Sequence, residues 1–208
     1  MNPYQITADF ERALCEYTGA PFAVAVNSCT AALQIACEWY IKKLGYRYAE
    51  ADRPFFVIPK RTYVSVPQAI CRAGGRVIFD DILWSGAYEI GPCTKLWDCA
   101  RRFTSGMYVS GQYQCVSFST TKILGLEQGG AILHDNEDFD KWARKMRFDG
   151  RTEGVDQRVD NFDMVGLHCI MLPSTAAALL LKLYHLPKHN EDLGYYDYPD
   201  LSKHKAFK

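Results

Sequence analysis

The chain has 208 residues, 48% of them apolar and 23% charged, enough to bury a sizeable core in one domain or in one domain with an appended arm. Twenty-four basic residues balance twenty-four acidic ones without a long run of either sign, so a general electrostatic pull on nucleic acid or anionic membrane is not indicated. The best apolar run, Ala176 to Leu181, is broken by Lys182, and the N-terminus lacks a signal-peptide layout, so a cytosolic (cytoplasmic) protein without a membrane span is expected. Eight cysteines fall at 15, 29, 37, 71, 93, 99, 115 and 169 with no C-x-x-C, which reads as scattered core thiols and no metal site.

In chain order, Ile6 to Tyr17 has the spacing of a short amphipathic helix closed by Gly19-Ala20-Pro21. Phe22 to Val26 is a buried-type strand, Asn27-Ser28-Cys29 a turn, and Thr30 to Leu44 a helix ending near Gly45. Phe55 to Pro59 is a second strand, followed by a helix from Val64 to Ala73, the Gly74-Gly75 turn and a third strand, Arg76 to Asp80. Lys95 to Asp98 and Gln114 to Phe118 are further short strands, and AILHD from Ala131 is the next apolar run. A helix from Glu137 to Phe148 has Asn136 as cap and Gly150 as stop, and Pro173 suits the first turn of a last helix ending at Tyr184. This alternation predicts an α/β fold with a largely parallel sheet, ligands sitting at the carboxyl ends of the strands. The polar, aromatic tail, residues 188–208, is either an arm over a neighbour or a loose terminus, set apart from a domain spanning 1–187.

Four places at or after strand ends carry the chemistry. Asn27, Ser28, Cys29 and Thr30 stand between a strand and a helix start, a natural phosphate seat or, through Ser28 or Thr30, an ordinary N-cap. Tyr63 follows the second strand, where an aromatic lies over a flat ring or joins the core. Asp98 ends an apolar strand, where a carboxylate caps a turn or meets a cationic partner. Lys122 follows Ser117-Phe118-Ser119-Thr120-Thr121, as a reactive amine or a solvated lysine. Taken together, a phosphate seat, a ring platform, a carboxylate for a basic nitrogen and an amine for an aldehyde describe pyridoxal 5'-phosphate (PLP).

From Ala23 to Leu183 the chain resembles the DegT/DnrJ/StrS-type sugar aminotransferases, of PLP fold type I. NSCTAAL is similar to the family's S-G-T-x-A-L phosphate turn, and VIPKRTYVSVPQAICRAGGRVIFDDI to its V-x-V-P-x-x-T-F block. WDCAR resembles E-D-A-A-Q, and GQYQCVSFSTTKILGLEQGGAIL resembles G-D-x-x-x-F-S-F-x-x-T-K-x-L…G-x-G-G-A. The resemblance implies a PLP-binding large domain of reduced size, with Lys122 as the catalytic, Schiff-base lysine. It puts Cys29 (through its backbone), Thr30 and Ser117 at the phosphate, Tyr63 on the ring, Asp98 at the ring nitrogen and Arg101 beside the ring. GLHCIMLPSTAAALLL is similar to G-Y-N-Y-R-M-x-x-x-Q-A-A, which puts His168 where an Asn reaches the partner subunit's phosphate, with NFDM, Asn161 to Met164, a competing placement.

The chain departs from the pattern in lacking the strand and helix that precede the aspartate strand and most of the C-terminal small domain. The implied reaction is transfer of an amino group from a small-molecule amino donor, glutamate by family habit, to a keto acceptor, a nucleotide-linked sugar by family expectation. A homodimer with shared active sites is implied. The rivals are another PLP enzyme, such as a dehydratase, decarboxylase or lyase, and a non-catalytic relative serving as a binding subunit. Neither G-x-G-x-x-G nor a Walker pattern supports a nucleotide-phosphate module.

Overall fold

A computed structural model describes residues 4–45, 53–194 and 197–207. The first helix, α1 (Gln5–Thr18), ends where Gly19 takes a left-handed conformation and its N–H bonds the Cys15 carbonyl. Strand β1 (Phe22–Val26) is buried on both faces: Val24 and Val26 enter one apolar cluster, Ala23 and Ala25 the other. Helix α2 (Cys29–Lys43) starts after Ser28, an N-cap with extended backbone whose side-chain oxygen accepts the Ala31 N–H. Then follow β2 (Phe55–Pro59), α3 (Ser65–Arg72), β3 (Arg76–Asp80), β4 (Tyr88–Glu89), β5 (Leu96–Asp98), β6 (Tyr113–Ser117) and β7 (Gly130–His134). Helix α4 (Glu137–Arg147) is capped by Asn136, which accepts from Phe139 N at 2.7 Å, and α5 (Pro173–Tyr184) has proline in its first turn. Every helix and strand read from the sequence is present; β4 is an addition.

The main sheet runs β1-β7-β6-β5-β4, and β2 pairs with β3 in a separate two-stranded sheet. The β2/β3 and β5/β6 pairs are parallel, whereas β1/β7, β6/β7 and β4/β5 are antiparallel, so the expected largely parallel sheet is corrected to a mixed one. The reason lies in the connections. A parallel crossover needs a dozen or more residues that pass over a face, usually a helix, as α3 does between β2 and β3. No helix separates β6 from β7 or β4 from β5, and those pairs turn back on themselves.

The correction leaves the functional edge intact. Strand β7 is antiparallel to both β1 and β6, so β1, β5 and β6 share a direction and bring their carboxyl ends to one edge. Helices α2, α3 and α4 pack one face through Ile35, Ile70 and Phe139; α1 and α5 pack the other through Phe10, Leu14 and Leu179. The segment after Leu186 returns along its own chain. Tyr17 Oη donates to Pro187 O at 2.6 Å, Arg102 holds Asp192 with both ends of its guanidinium, and Leu201 N bonds Lys60 O at 2.9 Å. Of this tail, Tyr195, Tyr196 and Lys208 lie outside the described residues.

Candidate active site

At the shared strand edge lies a cavity of about 580 Å³, large enough for a cofactor-sized ligand. Its first wall is the turn after β1. Ser28, Cys29 and Thr30 line it at the N-terminus of α2, where unpaired N–H groups and the helix dipole favour an anion. Thr30 Oγ1 donates to Ser65 Oγ at 2.8 Å, which adds a second hydroxyl from α3. The turn presses on the first residue of β7: a Cβ on Gly130 would stand 2.5 Å from Cys29 N, so the glycine is required there. Gly129, at φ +140°, lines the cavity itself.

Asp98, at the end of β5, is 5% exposed. Its Oδ1 accepts from Ala100 N at 2.9 Å and its Oδ2 from Tyr88 Oη at 3.0 Å. Burial pushes its carboxyl above the usual carboxylate range, while those two donors and the charge of Lys122 pull the other way. Lys122 comes from the turn after β6, closed by Lys122 N to Ser119 O at 2.9 Å. Burial lowers its amine below the ordinary lysine range, with Asp98 opposing and Arg101 adding to the fall. Among the described residues, no acceptor pairs with Lys122 Nζ by hydrogen bond or ion pair.

Seven of the eight residues singled out in the sequence line this cavity: Cys29, Thr30, Tyr63, Asp98, Arg101, Ser117 and Lys122. Tyr63 is 58% exposed and sits edge-on to Tyr198 of the returning tail. Arg101 has its Nε and Nη2 on the Leu193 and Gly194 carbonyls, at 2.7 to 3.2 Å, and so anchors the tail at the cavity rim. His168 is not brought to the cavity. It is exposed and holds Asp149 Oδ2 at 2.8 Å.

The sequence reading missed Thr62, Trp84, Tyr88, Leu193 and Tyr198, which also stand at or behind the cavity wall. The signal for Tyr88 was slight, because a two-residue strand has no periodicity. The donor set fits PLP: a carboxylate that still has lone pairs for a ring nitrogen, an amine without a bonded partner among the described residues, and hydroxyls at a helix N-terminus for a phosphate.

The model of the DegT/DnrJ/EryC1/StrS aminotransferase family matches residues 1–87 and 106–192. The chain belongs to this family. It is 27% identical over 238 aligned residues to the UDP-4-amino-4,6-dideoxy-N-acetyl-beta-L-altrosamine transaminase of Campylobacter jejuni, covering 91% of this chain and 60% of that protein. Among solved structures, a sugar aminotransferase from Micromonospora echinospora superposes with a TM-score of 0.70 at 17% identity, over 86% of this chain and 60% of the other. NtdA from Bacillus subtilis, solved with bound cofactor PMP, superposes with a TM-score of 0.67 at 20% identity, over 87% and 48%. The chain thus spans about 60% of the length of the curated relative it matches. The family match skips residues 88–105, the stretch holding β4, β5 and Asp98, so the place of Asp98 in the site rests on geometry.

Proposed function

We propose that this chain is a PLP-dependent aminotransferase that moves an amino group from an amino-acid donor, glutamate first, to a keto group on a nucleotide-linked sugar. One observation carries the reading: Asp98 and Lys122 face the same cavity from different strand ends, and neither is neutralised by an ion pair within it. When bound, the cofactor supplies an electrophilic carbonyl and an electron sink. Lys122 would hold that carbonyl and, once released, would move a proton between the reacting carbon of each substrate in turn and the cofactor; burial shifts its basicity in the direction that suits this task. Asp98 would keep the proton on the ring nitrogen, Tyr63 would cover the ring, and Cys29 N, Thr30 and Ser117 would hold the phosphate. Arg101 would stand beside the ring, braced by the tail carbonyls.

The assembly we infer is a cytosolic homodimer with shared active sites, in which exposed His168 reaches the partner's phosphate. In this reading the PLP-binding domain runs over 1–187 and the arm begins at residue 188, with its Leu193, Gly194 and Tyr198 at the rim of the same chain's cavity. Addition of PLP to the purified protein is expected to give a visible absorbance band that borohydride fixes to Lys122 and that Lys122→Ala abolishes. Glutamate plus a keto sugar nucleotide should then yield 2-oxoglutarate and an amino sugar in equal amounts. A protein that stays colourless with PLP overturns the reading, and a keto product without a paired amine points to a lyase instead.

A further inference from the structure

Tyr88 stands directly opposite Asp98 in the antiparallel register of β4 and β5, so the two side chains leave the sheet on the same face. Its ring is buried and packs on Trp84 with centroids 4.8 Å apart. Its hydroxyl donates to Asp98 Oδ2 at 3.0 Å and lies 2.6 Å from Thr62 Oγ1. A phenol has one proton to give; since that proton goes to the carboxylate, the Thr62 hydroxyl donates to Tyr88. The result is a directional chain, Thr62 to Tyr88 to Asp98, with the Ala100 N–H on the other carboxylate oxygen.

The surroundings of Asp98 make this chain consequential. The titratable groups that face it are Cys29 on α2, Cys99 beside it, Cys115 on β6, Tyr88 on β4, and Lys122 from the turn after β6. Burial raises all three thiols, which stay neutral and offer Asp98 no charge support. Lys122 is the one cation facing it among these, and burial weakens its hold on a proton. The neutral donors therefore carry the task of keeping a desolvated carboxyl ionised.

We propose that Tyr88, backed by Thr62, is a positioning residue that keeps Asp98 ionised and oriented toward the ring nitrogen of the cofactor. The cofactor half of this inference rests on the function proposed above. Tyr88 lies within the stretch that the family model does not match.

Two variants test it. Tyr88→Phe deletes the hydroxyl and keeps the ring on Trp84, and Thr62→Val leaves the Tyr88 oxygen without its donor. In the cofactor-free protein, the Asp98 carboxyl carbon, assigned by its loss in Asp98→Asn, is followed by NMR through a pH titration. Loss of a hydrogen bond to a charged group should raise the Asp98 midpoint by about one to two pH units in Tyr88→Phe, and by less in Thr62→Val. PLP retention at pH 8 should weaken by roughly tenfold or more in Tyr88→Phe. An unmoved midpoint in folded Tyr88→Phe overturns the inference; if that variant does not fold, an unmoved midpoint in Thr62→Val does so. Wild-type protein that takes up no PLP sinks the functional reading, while the titration still decides whether Tyr88 controls Asp98.

Discussion

Two buried charge clusters in this molecule are built on opposite plans. Around Glu11, charge is matched by charge. Its Oε1 accepts from Ala25 N at 2.8 Å and from Arg147, and its Oε2 accepts from Arg144 at 2.7 Å. Arg144 also grips Asp140, and Arg147 also grips Glu153 and the Ala25 carbonyl. The network ties α1 and β1 to α4, and the burial of its ions is compensated within the protein. Around Asp98 and Lys122, the carboxylate has neutral donors and the amine has no bonded partner among the described residues. One network is completed within the protein and the other is left open at a cavity, the arrangement expected of a ligand site.

Substitutions can break this contrast. The largest effect is expected for Lys122→Met: product formation should fall by about 10³-fold or more, because both the covalent anchor and the proton carrier are lost. The urea midpoint of the same variant should stay level or rise, since a half-buried amine without a partner is removed; a clear drop would make Lys122 a structural residue. Glu11→Ala should do the reverse. It takes one carboxylate from each of two guanidiniums, which keep only the carboxylates of Asp140 and Glu153, and should cost about 3 kcal/mol in urea unfolding, with PLP uptake by the folded fraction unchanged.

Asp98→Asn sharpens the contrast through pH. Burial raises the folded-state pKa of Asp98 above its ordinary value near 3.8, so between that value and the raised one the native protein keeps a proton that the unfolded chain has released. This contribution to stability is full below that ordinary value and is lost as pH rises through the raised one. Urea midpoints measured upward from about pH 4 should therefore fall less steeply in Asp98→Asn than in the wild type. The smallest effect is expected at the tail. Asp192→Ala removes a partly exposed pair with Arg102 and should cost at most about 1 kcal/mol, while loosening the rim and raising the acceptor KM roughly severalfold with little change in kcat.

Much of the site was legible before folding was considered, because its parts sit where local rules are strong. Asn136 read as a cap and acts as one, and of Ser28 and Thr30, both open as caps in the sequence, Ser28 is the cap; the turn after β1, the end of β5 and the segment after β6 read as strand ends and are strand ends. In the sequence, Gly129 and Gly130 stand only as the paired glycines of the GLEQGGAIL segment. That Gly130 lies under the Cys29 backbone needs β1 and β7 side by side. Arg101 read as a ring-side group, yet its partners include carbonyls more than ninety positions away, on a tail without periodicity. His168 matched a motif in sequence but stands outside this chain's cavity.

By itself, the sequence determined the helices, the longer strands and the short motifs that single out Lys122, since caps, apolar periodicity and short motifs act over a few residues. Only the tertiary structure decided strand direction, because pairing depends on whether a connection crosses a face or turns back. It also decided that Tyr88, on a strand too short to show a pattern, meets Asp98 across the sheet. A contact between residues on different strands has no local signature, and the partners of Asp98 became visible only with the register of β4 and β5.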